Sequence, residues 1–397
     1  MTVLWKKEIE EIKQTGYLNS KISVTDALIK NFYNEIMKDE EKSLMNLVFE
    51  KNPTQEQLNE LLKNWDIEVK RADKNLLLSY FMKYHPELEF DKYSGPRLMG
   101  LLKNIRFKNM QVVSHFVKIT KALNEKGITP MILKGGAMRF LRPELPRIMG
   151  DVDILVKEKD FIKSMNIAKH LGYYWEKIDI HSVDLHDPKT GKNAVDLHKF
   201  IYFKTGCEKK FIPKIWKRAV KHNVFGVDAF VPSNEDMVFV SLVNLARNLR
   251  DKTSQSGLLY TLFDCNYFIN QPDFNWELVK ENAKMAHAEI PMNFAMKFIN
   301  QISPCVIPDE IQKNMPFERE TNDYSNVVMY ERFYLEELRE KCRAMKISEV
   351  IADKSKWAEY VLLKPKYLML KFLRNHPRLI EMFIKDLKTK EYDFARK

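Results

Sequence analysis

Cysteine is scarce in this chain of 397 residues. Only Cys207, Cys265, Cys305 and Cys342 occur, and no two form a C-x-x-C pair. That argues against a structural zinc site. Isolated cysteines in a chain without an export signal are expected to be reduced and buried. Long apolar runs are missing too. A membrane-spanning helix needs about 18 or more apolar residues in a row, and the longest candidate, Val238 to Ala246, is far shorter. The opening residues, Met1-Thr2-Val3-Leu4-Trp5-Lys6-Lys7-Glu8, hold neither an apolar signal core nor a cleavage site. The expectation is a soluble cytoplasmic protein with no membrane span. The chain also lacks internal repeats and low-complexity linkers.

What is present is enough apolar material for a sizeable core, 45% of the residues. At about 150 residues per domain the length suggests two or three domains. The net charge is +11, unevenly spread. Arg97 to Arg147 holds eleven Lys/Arg against two acids, Glu125 and Glu144. Lys364 to Lys397 holds ten against four. Basic stretches attract phosphates of any kind. They do not by themselves separate a nucleotide from a nucleic acid, or either from a membrane surface.

Periodicity divides the chain into three regions. The first, residues 1–110, reads as helices. Thr54 with Gln57 makes a capping box, and Leu58, Leu61, Leu62 and Trp65 follow at i, i+3, i+4, i+7 spacing. A long helix is expected from about Pro96 to Lys126, with Gly127 as its C-terminal cap. The second region, residues 111–205, mixes helix and strand. Pro130 to Lys134 suits a short buried strand, Ala137 to Leu141 a short helix, and Asp151 to Val156 a strand of period two. Phe161 to Leu171 is a helix stopped by Gly172. A hairpin joins Ile178–His186 to Asn193–Phe200 across the turn formers Asp187 to Lys192. From Phe211 onward, within the third region, residues 206–397, the pattern is helical again, and Ser233 with Asp236 caps a strong apolar helix through Leu249. The fold class expected is α+β, a small mixed-sheet core flanked by N- and C-terminal helical regions.

The chemistry concentrates in the core. Residues i and i+2 of a strand share a face, so Asp151 and Asp153 stand side by side. Two such carboxylates repel each other, and a divalent cation with oxygen ligands relieves that repulsion. An exposed strand face is the plain alternative. Upstream, Lys134-Gly135-Gly136 joins a strand to a helix, where backbone N–H groups bind phosphate well and glycine permits close approach; a simple turn is the alternative there. Arg139, Arg142 and Arg147 lie between the two motifs, and an Arg can fork onto phosphate oxygens. A third carboxylate would complete a two-metal site for phosphoryl or nucleotidyl transfer. Asp196 in Val195-Asp196-Leu197-His198 is one candidate, and Asp184 in Val183-Asp184-Leu185-His186 is its rival. His198 shares a face with Asp196 and could orient substrate, act as acid or base, or be structural.

Leu133-Lys134-Gly135-Gly136-Ala137, Arg147 and Gly150-Asp151-Val152-Asp153-Ile154-Leu155-Val156 together resemble an uncharacterised bacterial nucleotidyltransferase family within the DNA polymerase beta-like superfamily. The resemblance extends to Val195-Asp196-Leu197-His198, which favours Asp196 over Asp184, and to Trp216-Lys217-Arg218-Ala219, Pro232-Ser233 and Leu262-Phe263-Asp264. It is specific from about residue 110 to 270. The chain has Gly135-Gly136-Ala137 where the superfamily commonly has Gly-Ser, and Asn244 and Asn248 where the family often has a histidine. The resemblance implies transfer of a nucleoside monophosphate from a nucleoside triphosphate such as ATP to an acceptor, with release of pyrophosphate. It assigns two Mg²⁺ or Mn²⁺ ions to Asp151, Asp153 and Asp196, and the triphosphate to Lys134, Gly135, Gly136 and Arg147. A small-molecule acceptor is favoured over RNA or protein, although the basic segments would also suit a polyanion. The alternatives are an RNA-directed nucleotidyltransferase and a non-catalytic nucleotide- or partner-binding module of the same fold.

Overall fold

The computed structural model describes residues 22–302 apart from breaks at 51, 69, 71, 144–146, 177, 179–180, 202–207, 250–257 and 287, together with 307, 311 and 319–321. The basic tail from Lys364 to Lys397 and the cysteines Cys207, Cys305 and Cys342 lie outside the described residues, as do the side chains of Asn248, Leu262, Phe263 and Asp264.

A short strand β1 (Ile22–Val24) opens the described chain and pairs in parallel with β8 (Arg319–Thr321). Helices α1 (Asp26–Ile36), α2 (Asp39–Phe49), α3 (Gln55–Lys63) and α4 (Ala72–Tyr84) follow. The capping box expected at α3 is present, with Thr54 accepting from the Gln57 N–H and Gln57 accepting from the Thr54 N–H. Helix α5 (Ser94–Glu125) is the long basic helix. It buries Leu98, Leu102, Ile105, Phe116, Ile119 and Leu123 and leaves its Lys and Arg residues exposed. Gly127 ends it at φ 73°, a conformation open to glycine at little cost.

The central sheet has six strands in the order β4-β5-β3-β2-β7-β6. These are β2 (Met131–Ile132), β3 (Val152–Leu155), β4 (Ser182–His186), β5 (Asn193–His198), β6 (Val220–Val224) and β7 (Val227–Val231). The pairings β3–β5 and β2–β7 are parallel, and the other three are antiparallel. The fold is therefore α+β with a mixed sheet. Between β2 and β3 lies α6 (Lys134–Leu141), and α7 (Phe161–His170) follows β3. The remaining helices are α8 (Glu208–Arg218), α9 (Asn234–Leu249), α10 (Leu258–Ile269), α11 (Trp276–Met285) and α12 (Glu289–Ile302). One contiguous apolar core joins the sheet to most of these helices. No helix among the described residues is long and apolar enough to cross a membrane.

Two sequence expectations need correction. The chain is not continuously helical from Phe211 onward, because β6 and β7 form a hairpin that completes the sheet. Its signal is weak: β6 is an exposed edge strand with only Val224 buried, and the tight turn runs through Phe225 and Gly226, both at positive φ, 52° and 90°. Phe-Gly is not a turn pair that composition flags. The second correction concerns the glycines. Helix α6 begins at Lys134, not Ala137, so Gly135 and Gly136 occupy its first turn and the preceding strand is only two residues long.

The capped helix α9 appears where Ser233 and Asp236 place it. The Asp236 N–H donates to Ser233 Oγ at 3.3 Å. Asp236 is also fully buried and takes a two-pronged contact from Arg218, Nε to Oδ2 at 3.0 Å and an Nη to Oδ1 at 2.5 Å. Asn282 of α11 donates to the same carboxylate at 2.7 Å. A buried charge is tolerable only when paired and hydrogen-bonded in this way. The network ties the end of α8 and the start of α9 to α11.

Candidate active site

Register brings the carboxylates together. Asp153 on β3 lies opposite Asp196 on β5, and Asp196 lies opposite Asp184 on β4. Residues paired across strands share a face, so three carboxylates cross the sheet in one row. Asp151 stands two residues before Asp153 on the same side. Val152, Ile154, Val195 and Leu197 turn the other way into the core, which holds the row in place.

Two cationic side chains meet this row. Lys134 Nζ lies 2.5 Å from Asp153 Oδ1. Lys134 holds φ 44°, a left-handed conformation rare for a lysine. His198, 2% exposed, donates from Nδ1 to the Phe200 carbonyl at 3.2 Å. Its Nε2 then faces Asp153 Oδ1 at 3.0 Å and Asp196 Oδ2 at 2.8 Å. With a carboxylate on each side, that nitrogen is best satisfied when protonated. Burial disfavours the imidazolium, yet Asp196 and Asp153 outweigh it and push the His198 pKa up to about 9. Burial acts against ionised Asp153 as well, but Lys134 and His198 hold it well below the usual carboxylate range. Asp196 is likewise lowered, with His198 overcoming its burial. Lys134 stays charged because the three aspartates outweigh its burial.

Asp151 behaves differently. Burial first, then Asp153 and Asp196, raise it to about 7. Its Oδ2 accepts from Asn193 Nδ2 at 2.8 Å, and the same amide reaches Asp184 Oδ1 at 3.3 Å. Asn193 was not singled out from sequence. It opens β5 three residues before Asp196, and only the strand register shows that it bridges two carboxylates.

Among the described residues, the group whose ligand atoms all lie within 4.8 Å of one another is Asp153, Asp196 and His198. Asp151, turned toward Asn193, is not part of it. A divalent cation fits the chemistry of this face. The carboxylates supply the hard oxygen donors that Mg²⁺ and Mn²⁺ take. Asp196 Oδ1 is buried with no hydrogen-bond partner, a lone acceptor in a setting where buried polar atoms are normally satisfied. Asp184 is exposed at the outer end of the row, whereas Asp196 sits at its centre.

The two glycines serve different ends. A Cβ on Gly136 would meet Val152 Cγ1 at 2.8 Å and Ile132 at 2.9 Å, so this glycine lets α6 lie directly on the sheet. A Cβ on Gly135 would meet Arg147 Nε at 2.6 Å. Gly135 thus makes room for the Arg147 guanidinium beside the helix N-terminus, where Leu133 supplies no side-chain cap. Asn109, buried in α5, fixes the approach to β3. Its Nδ2 donates to the Arg147 carbonyl, and its Oδ1 accepts from the Met149 N–H at 3.0 Å. An asparagine in a helix carries no sequence signal for this role.

The profile of a family described as uncharacterised nucleotidyltransferase matches residues 64–304, more than half of the chain. The chain belongs to this nucleotidyltransferase family. The match begins within the N-terminal helices and ends after α12. No curated protein matches this nucleotidyltransferase. Solved structures that match it in part include the antibiotic-resistance factor ANT(2'')-Ia, at 12% identity and a TM-score of 0.28, covering 49% of this chain and 90% of that one. An antigenic nucleotidyltransferase-like protein from Paracoccidioides brasiliensis matches at 15% identity and a TM-score of 0.31, covering 45% of this chain and 85% of that one.

Proposed function

We propose that the protein moves a nucleoside monophosphate from a nucleoside triphosphate to an acceptor, with release of pyrophosphate, and that it needs divalent metal ions to do so. The observation that carries this reading is the in-register pair Asp153 and Asp196, flanked by Asp151, with a buried Asp196 oxygen left without a partner. Asp151, Asp153 and Asp196 would hold two Mg²⁺ or Mn²⁺ ions. Bound there, the ions would neutralise charge on the reacting phosphate and on the attacking and leaving oxygens.

The chain's own groups supply the rest. Lys134, the N-terminal turn of α6 at Gly135 and Gly136, and Arg147 hold the triphosphate. His198 keeps Asp153 and Asp196 ionised and fixes the direction of both. Asp196 orients the acceptor hydroxyl. The acceptor oxygen bonds to the α-phosphorus, the bond to the β-phosphate oxygen breaks, and pyrophosphate leaves. Asp196 receives the hydroxyl proton as the new bond forms. The acceptor is a small molecule in this reading, and ATP is the first triphosphate to test.

The test incubates the full chain with each labelled triphosphate, Mg²⁺ or Mn²⁺ and a cell extract, and follows both pyrophosphate and the labelled product. Metal-dependent pyrophosphate release with a labelled acceptor is the expected result. Activity that persists in Asp196→Asn would overturn the assignment. Stabilisation by nucleotide without any turnover would point instead to a binding module.

A further inference from the structure

Strand β5 enters the sheet through a break in register. Its pairing with β4 is regular from Ser182 opposite His198 to Leu185 opposite Val195. His186 then faces Asn193, so Ala194 is left without a partner residue on β4. A β-bulge of this kind re-aims the side chain beside it. In a regular strand Asn193 would share the face of Val195 and Leu197, which point into the core. The bulge turns it instead to the face of the aspartates. There its Nδ2 donates to Asp151 Oδ2 at 2.8 Å and to Asp184 Oδ1 at 3.3 Å.

These two acceptors fix the direction of the amide. A carboxamide oxygen in the same place would face two carboxylate oxygens and donate to neither, so the NH2 group must point this way. Asn193 Oδ1 is buried and has no hydrogen-bond partner among the described residues. Buried polar atoms are normally satisfied. The amide is therefore held by its donor end alone. Asp184, exposed on the outer strand, anchors one N–H, and the other reaches inward to Asp151. Asp151 is also the carboxylate with the least support from the sheet. It lies one residue before β3, outside the paired register that begins at Val152. His198 orients Asp153 and Asp196, whereas the hydrogen bond that orients Asp151 comes from Asn193.

We propose that Asn193 is the positioning residue for Asp151: it holds Oδ2 so that the other carboxylate oxygen is presented to a divalent cation bound at Asp153 and Asp196. The inference rests on the metal-dependent reading above and adds a residue that supports a ligand without being one. Ligating carboxylates are commonly held by a further hydrogen bond of this kind, and losing it costs about 10–100-fold in metal affinity.

The experiment uses the full chain with Mn²⁺ and no nucleotide, and reads the free ion by electron paramagnetic resonance, so it requires no turnover. Wild type is compared with Asn193→Ala and Asn193→Gln. Asn193→Ala removes the donor and is expected to bind Mn²⁺ about tenfold or more weakly. Asn193→Gln keeps an NH2 group on a longer, flexible stem and is expected to restore affinity to within a few fold of wild type. Melting curves without metal separate these effects from a loss of fold. Unchanged Mn²⁺ affinity in Asn193→Ala overturns the proposal. So does an equal loss in Asn193→Ala and Asn193→Gln, which would mark Asn193 as a packing residue only. No Mn²⁺ binding by the wild type overturns the metal reading itself, and this proposal with it. Should Asn193→Ala melt early, Asn193→Val, which suits a strand and also lacks the donor, is read by the same criteria.

Discussion

Asp196 lies directly beside Asp153 in the parallel pairing of β5 with β3, and one imidazole nitrogen of His198 serves both carboxylates at 2.8 and 3.0 Å. The relationship makes His198 part of the acidic site and not a bystander of the strand. It also ranks the carboxylates: Asp153 and Asp196 share a cation, whereas Asp184 lies one strand further out with Asn193 between it and Asp151.

Substitutions along this row should separate the two candidate aspartates. Asp153→Asn and Asp196→Asn are expected to lower pyrophosphate release by about two to three orders of magnitude if they hold catalytic metal. Asp184→Asn should leave it within a few fold. Steady-state rates for the three variants, with melting curves to confirm folding, check the ranking.

The metal-free protein should lose stability as pH rises. His198 binds its proton more tightly folded, at about 9, than unfolded, at about 6.5. Its contribution is therefore complete below about pH 6.5 and lost as pH rises through 9. The raised Asp151 acts in the same direction at lower pH, since the folded chain holds a proton there up to about 7 that the unfolded chain has already released. Together they predict a fall on the order of 4 kcal/mol between pH 6 and 9. Mg²⁺ or Mn²⁺ should reverse the trend, binding more tightly as pH rises through 7 because Asp151 must give up its proton to become a ligand. Melting temperatures measured across this range, with and without Mn²⁺, would show the two curves diverging; parallel curves would contradict the assignment.

The two glycines should fail in different ways. Gly136→Ala places a methyl group against Val152 and Ile132, within the core. It should cost about 1–3 kcal/mol by overpacking. Gly135→Ala meets instead the end of the Arg147 side chain, which can move. It should leave the melting temperature nearly unchanged and weaken triphosphate binding about tenfold by displacing a forked donor. Paired melting and nucleotide-binding measurements distinguish the outcomes.

Asn109→Ala should destabilise the lead-in to β3. It removes a donor to the Arg147 carbonyl and an acceptor from the buried Met149 N–H. Unsatisfied backbone groups of this kind cost about 1–3 kcal/mol. Chemical denaturation measures the loss. Asn109→Asp tests the geometry further, since a carboxylate accepts from Met149 but cannot donate to the carbonyl.

Much of this was legible in the sequence because it is local. Thr54 and Gln57, Ser233 and Asp236, and Gly127 announce helix ends through short-range hydrogen bonds and backbone preference. Asp151 and Asp153 announce a shared face because a strand repeats every two residues. The period of β5 likewise puts Asp196 and His198 on one side. What could not be read there depends on partners distant in the chain. The β6–β7 hairpin turns through Phe225 and Gly226 and is recruited by Pro130, whose carbonyl accepts from Phe230. Asn109 and Asn193 look like ordinary polar residues until the fold sets them against Arg147 and Asp151. The chain by itself therefore determined which carboxylates could share a face. Only the tertiary structure decided which of them share the His198 cation, and which glycine packs and which makes room for an arginine. Strand register and helix packing set those distances, and Coulomb and steric forces act through distance in space, not along the chain.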